Sequence, residues 1–274
     1  MVVCTDLGAL EGDVVCFGGP YSNLQALQAL LAEADRMGVP PEQRICTGDI
    51  VAYCADARAA VDLFRKSGAI SIRGNCEIQV GAGAPDCGCG FDAEMACDVL
   101  ARDWFAHVDR TVSADHRAWM RSLPDWITFR HRGKRYALVH GGARDVSRFL
   151  WPLGGAREFA LEIDAIQCRV GSVDAVIAGH CGIGFARNVN GVEWINAGAI
   201  GMPANNGSRR TEFVVLGADG PVFHALDYDC ESAARAMERA GLDQGYETAL
   251  RSGFWPSEDV LPPEMRRESL SSGR

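Results

Sequence analysis

The chain has 274 residues, 47% hydrophobic and 23% charged, enough apolar side chain for one large layered core. A formal net charge of -9 weighs against a duplex nucleic-acid partner, which would want a basic face. Eleven scattered cysteines are an odd number, so a complete disulfide framework is excluded and reduced thiols in a cytoplasmic protein are expected.

Taken in order, the chain alternates strand and helix. The start, Met1 to Asp6, shows no basic leader with an apolar core, and no later run approaches the length needed to cross a bilayer. Residues 13–17 read as the first core strand, broken by Gly18-Gly19-Pro20. Ser22 or Asn23 then caps a helix with Leu24, Leu27, Leu30 and Leu31 on one face, ending near Gly38. The apolar run 44–47 is a strand, 56–66 a helix stopped by Gly68, and 69–73 another strand. This is a βαβαβ unit, expected to form a parallel sheet.

The middle differs. Residues 80–90 are rich in Gly and Cys and predict an ordered loop, and the spacing predicts helices over 92–108 and 114–122, the second ended by Pro124. A hairpin is expected over 126–139 around Arg132-Gly133-Lys134, then a helix over 156–167 and a buried strand over 174–178. Strands over 185–189, 193–196, 211–217 and 221–227 are separated by glycine and Asn-Gly turns, which predicts a second, antiparallel sheet. One helix over 231–240 precedes a Pro-rich, charged surface tail.

Four polar residues stand beside a glycine just after an apolar run: Asp49, Asn75, His140 and His180. Strand ends are where open α/β sheets place ligands, and carboxylate, amide oxygen and imidazole together suit manganese, iron or zinc. The bland alternative is a set of structural hydrogen-bonding groups. Cys54, Cys76 and Cys181 adjoin these motifs, and Cys87-Gly88-Cys89 with Cys97 has no recognised zinc spacing.

The ordered motifs Gly48-Asp49, Gly74-Asn75-Cys76-Glu77, Val139-His140-Gly141, Gly179-His180-Cys181-Gly182 and Asn196 to Gly201 resemble the calcineurin-like metallophosphoesterases from about residue 14 to 227. The resemblance implies a four-layer α/β/β/α sandwich of two mixed sheets flanked by helices, and a two-metal centre that hydrolyses phosphate esters. It implies a domain over residues 1–228, with a Cys/Gly-rich loop and helical insertion at about 80–124, followed by a helical tail over 229–274. The departures fall on one metal. Gly19 and Tyr21 stand where the family has Asp and His, Cys76 where it has the His that meets phosphate, and Gly182 where it has a second His for the first metal. Asp49, Asn75, His140 and His180 would complete the other site, so one divalent metal per chain is expected.

The function this implies is hydrolysis of phosphate mono- or diesters by one metal and a metal-bound water, on a small-molecule phosphate ester or phosphorylated ligand. A noncatalytic metal or phosphate-ligand binding protein is the alternative. Cys76 and Arg144 are the candidate catalytic groups; Tyr21, Cys54, Arg73 and Cys181 are candidates for the substrate pocket. Tyr21 either donates to a phosphate or plugs the vacated site. No membrane partner is expected, and substrate and oligomeric state are not legible.

Overall fold

A computed structural model describes residues 2–89 and 96–267, with side chains from residue 100 in the second stretch. The predicted helix start at Asp92, its residue Met95, and the side chains of Cys97 and Val99 lie outside that description, as do residues 268–274.

Two mixed sheets pack face to face. The five-stranded sheet is built on β2 (Val14–Phe17), β3 (Arg44–Cys46) and β4 (Ile70–Ser71), which run parallel and are joined by helices α1 (Leu24–Arg36) and α2 (Ala57–Ser67). It is completed by the antiparallel pair β10 (Thr211–Gly217) and β11 (Gly220–Leu226), in the order β11-β10-β2-β3-β4. The six-stranded sheet has the order β1-β5-β6-β7-β9-β8. Its strands are β1 (Cys4–Leu10), β5 (Trp126–His131), β6 (Lys134–Leu138), β7 (Ala175–Ala178), β8 (Gly184–Val189) and β9 (Val192–Ala197).

Period-two side chains explain the layering. In β2, Val14 and Cys16 point between the sheets with Ile45, Phe129, Leu138 and Ile177, while Val15 and Phe17 face α1 and α2. A strand buried on both faces reads as an unbroken apolar run, as Val14-Val15-Cys16-Phe17 does. Helix α6 (Ala156–Val170) covers the six-stranded sheet through Phe159, Ile163 and Ile166. The other outer layer contains α1, α2, α7 (Cys230–Arg239) and α8 (Tyr246–Ser252), and the sandwich is therefore α/β/β/α.

The expected βαβαβ unit is present. The expected separate antiparallel sheet is not, because β8 and β9 extend the strand-parallel pair β6–β7 and β10–β11 extend β2. Apolar patterning sets which strands are buried, not which sheet they join. Strand β1 was not anticipated: it is largely exposed and pairs parallel with β5 at a sheet edge, so its sequence lacks a buried face. The loop expected over residues 80–90 starts within the end of helix α3 (Asn75–Ala82) and continues as a turn in which Cys87 and Cys89 form a disulfide, contrary to the expectation of reduced thiols. The two remaining helices of this region are α4 (Ala96–Thr111) and α5 (Ala114–Ser122). The Pro-rich end is not all surface either, since Leu261 is buried against Trp151 and Cys181, with Trp255 and Val260 packed beside them.

Candidate metal centre

Each candidate ligand leaves the carboxyl end of a strand. Asp49 follows β3 and Asn75 follows β4 in one sheet; His140 follows β6 and His180 follows β7 in the other. Stacking the sheets brings these four ends together at one rim. Asp49, His140 and His180 offer ligand atoms that all lie within 4.8 Å of one another.

The backbone there is unusual. Asp49 and His180 have φ of 55° and 63°, a region L residues enter at a cost of roughly 1 kcal/mol and that clusters at functional sites. Gly48 has φ 98°, and a Cβ on it would stand 2.5 Å from the Gly74 nitrogen, so the two motif loops can touch only with glycine.

His140 is the hub. Its Nδ1 lies 2.6 Å from the Thr47 carbonyl, which can only accept, so Nδ1 carries the hydrogen and Nε2 faces the cluster. Three electron-pair donors surround Nε2: Asn75 Oδ1 at 3.0 Å, His180 Nδ1 at 3.1 Å and Asp49 Oδ2 at 3.2 Å. One proton on Nε2 can serve only one of them well, whereas a cation satisfies all four atoms. Asn75 is oriented by its other end, because Nδ2 donates to the Cys87 carbonyl at 3.0 Å and thereby turns Oδ1 inward. Two imidazoles, a carboxylate and an amide oxygen, with one imidazole held by a backbone carbonyl, fit a divalent cation.

Electrostatics agree with that reading. Burial opposes charge on His140, but the Asp49 carboxylate outweighs it and holds the His140 pKa above the ordinary histidine value. Burial also works against the Asp49 charge, and His140 reverses this and lowers the Asp49 pKa. His180 is pushed down to about 3 by burial and then by His140, so it is neutral and its lone pair is available.

Glu77, quoted in the motif but given no role by the sequence reading, holds the Asp49 loop. Its fully buried carboxylate accepts from the backbone N–H groups of Asp49 at 2.8 Å, Ile50 at 2.8 Å, Val51 at 3.3 Å and Gly74 at 2.9 Å. Burial and then Asp49 push its pKa up to about 7 against those four donors. Its signal was available: a Glu three residues after a helix N-cap reaches back to backbone amides.

The other candidates separate. Cys76 is buried, its N–H donates to Asp49 Oδ1 at 3.2 Å, and burial followed by Asp49 holds its thiol well above the usual range. Cys181 is buried beside Asn196, whose Nδ2 lies 3.1 Å from Sγ, and Cys54 is buried near the Gly201 carbonyl. Arg73 is turned away into a 2.6 Å ion pair with Asp125. Arg144 is exposed, and its backbone N–H donates to Glu162. Tyr21 is 5% exposed, has φ 51°, and lays its ring directly over Gly19 with its hydroxyl facing Gly182.

A family model described as the calcineurin-like phosphoesterase superfamily domain matches residues 21–220. The chain belongs to that superfamily. It is 25% identical over 183 residues to the uncharacterized protein MJ0912 of Methanocaldococcus jannaschii, a match covering 66% of each chain. Among solved structures it is similar to a metallophosphoesterase from Sphaerobacter thermophilus, with TM-score 0.66, 23% identity, and 89% of this chain and 100% of that one covered. A hypothetical protein, PH1004, from Pyrococcus horikoshii superposes with TM-score 0.72 at 15% identity, covering 89% and 99%. At such identities the two structures establish the shared four-layer fold alone. The superfamily uses divalent metals, and the cluster at Asp49, His140 and His180 is a candidate site for one. Among the described residues no helix is long and apolar enough to cross a membrane.

Proposed function

We propose that the chain is a phosphoester hydrolase working with one divalent cation, manganese, iron or zinc, held by Asp49, Asn75, His140 and His180. The observation that carries this is the convergence of Asp49, Asn75 and His180 atoms on His140 Nε2. When bound, such a cation would polarise a phosphoryl oxygen and acidify water. The chain supplies the rest. Thr47 fixes the His140 tautomer, Glu77 fixes the Asp49 backbone, and the Cys87 carbonyl fixes Asn75.

One metal rather than two is favoured by Tyr21. Its ring fills the space over Gly19 and toward Gly182, two of the positions where the family places ligands of the first metal. Tyr21 is therefore a plug, and burial keeps its hydroxyl protonated far above neutral pH. Cys76 has no access to a thiolate and is assigned packing beside Asp49, not nucleophilic attack. Arg144, exposed and beyond the cluster, is left to meet a bound phosphate only if its side chain swings inward. The buried free thiols of Cys16, Cys46, Cys54, Cys76 and Cys181 suit a reducing cytoplasm, whereas the Cys87–Cys89 disulfide does not.

The test is turnover of p-nitrophenyl phosphate and bis(p-nitrophenyl) phosphate by protein loaded with each metal, beside Asp49→Asn. Turnover lost in the variant is expected. The same plug also favours the second reading, a phosphate-ligand binder without catalysis, which tight phosphate binding with no turnover would establish.

A further inference from the structure

Beside the cluster lies a cavity whose walls come from distant parts of the chain. Tyr21 and Tyr53 come from the loops after β2 and β3, His180 from the loop after β7, and Tyr246 and Trp255 from the C-terminal segment. His180 belongs both to this cavity and to the metal cluster, and its ring packs 4.3 Å from that of Phe149, another wall residue. The cavity therefore borders the cluster through His180.

The wall chemistry selects what that group can be. No carboxylate, ammonium or guanidinium lines it among the described residues, so an ionised substituent would lose its hydration without a partner. Aromatic faces dominate instead: Tyr21 and Tyr53 meet edge to face with centroids 4.9 Å apart, and Tyr53 and Tyr246 lie 4.7 Å apart. Trp255 is held in place before any ligand arrives, because its Nε1–H donates to the Pro203 carbonyl at 2.7 Å and its backbone N–H to Asn205 at 2.7 Å. The cavity volume of ≈ 60 Å³ is above the roughly 10–15 Å³ needed to hold one water but small, which favours a compact substituent over a large one.

Three of the wall residues, Tyr246, Trp255 and Val260, lie beyond residue 220, where the superfamily match ends. A C-terminal segment beyond that match, closing a cavity beside the cluster, is placed to set specificity rather than chemistry.

We infer that the preferred substrate is a phosphate ester carrying one uncharged aromatic ring next to the phosphate, with Trp255 as the specificity-determining residue. This rests on the hydrolase reading for its chemistry but is tested by binding, which does not require turnover. Calorimetry on the full-length, metal-loaded chain would compare phenylphosphonate with methylphosphonate, neither of which can be hydrolysed at an ester bond. The expected result is about tenfold tighter binding of phenylphosphonate, from ring area removed from water. Trp255→Ala should shrink that preference to about twofold. Val260→Trp, which narrows the cavity without opening a hole, should shrink it likewise and covers the case where Trp255→Ala does not fold.

Equal affinities in the wild type, a preference untouched by both variants, or no affinity for either phosphonate would overturn the inference. Turnover of p-nitrophenyl esters is scored separately. Hydrolysis with no phenyl preference would sink this inference and leave the hydrolase reading standing; phenyl preference with no hydrolysis would do the reverse.

Discussion

Glu77→Gln should damage the metal centre without touching a ligand. The carboxylate of Glu77 splits its duties: Oε2 accepts from Asp49 and Gly74, Oε1 from Ile50 and Val51. A carboxamide keeps one oxygen and presents an NH2 in place of the other. Whichever way it is turned, two buried backbone donors then face a donor. Hydrogen bonds to a charged acceptor contribute about 1.5–3 kcal/mol each, and bonds sharing one acceptor are not additive, so the expected loss is about 3 kcal/mol. Because two of the four amides belong to Asp49 and Ile50, the loop that presents the Asp49 carboxylate loosens too. Metal affinity should fall about tenfold or more, as it does when the groups that orient ligands are lost. Urea unfolding at pH 8, with the slope m compared between wild type and variant, reads the first effect, and a metal titration reads the second. A stability change under about 0.5 kcal/mol, at unchanged m and unchanged metal affinity, would mean that Glu77 does not hold these amides, since buried orphaned donors cannot be that cheap.

Three further outcomes are expected. Metal affinity should rise with pH by about tenfold per unit until the raised His140 pKa is passed, then level off. The sign follows because the cation must displace the His140 proton, whereas His180, pushed down to about 3, has none to lose at neutral pH. An affinity flat from pH 6 to 9 would contradict it. Tyr21→Ala should cost about 2–4 kcal/mol by leaving a cavity over Gly19, yet metal content should stay at one per chain, because neither Gly19 nor Gly182 supplies a ligand; two equivalents in that variant would argue otherwise. Arg73→Ala should leave kcat/KM within about threefold and cost at most about 1 kcal/mol, since its guanidinium pairs with Asp125 in a partly exposed bridge. A hundredfold loss of kcat/KM would show that Arg73 reaches the substrate.

What was legible in the sequence was whatever a local pattern carries. The apolar runs before Asp49 and His180, the helix face of Leu27 and Leu30, and the left-handed stop at Gly68 each have a short-range physical cause, and each is where expected. Sheet membership is long-range: nothing in the sequence of β9 says that its parallel neighbour is β7. Strand β1 escaped because an exposed edge strand needs no apolar face. The convergence of Asp49, Asn75, His140 and His180 was legible because each of these residues sits beside a turn after a buried strand. The fate of the substitutions at the vacated site was not, since only the fold shows the Tyr21 ring covering Gly19. The cavity was hidden for the same reason. Trp255 lies 75 residues beyond His180 in the chain (255 − 180), and no spacing rule connects them.

The proposed centre is a single metal held by residues from both sheets. Elemental analysis of protein purified without chelator, beside Asp49→Ala and His180→Ala, tests it most directly. About one equivalent of divalent metal per chain, lost in both variants, is expected. Two equivalents in the wild type, or none, or one that survives both substitutions, would contradict it.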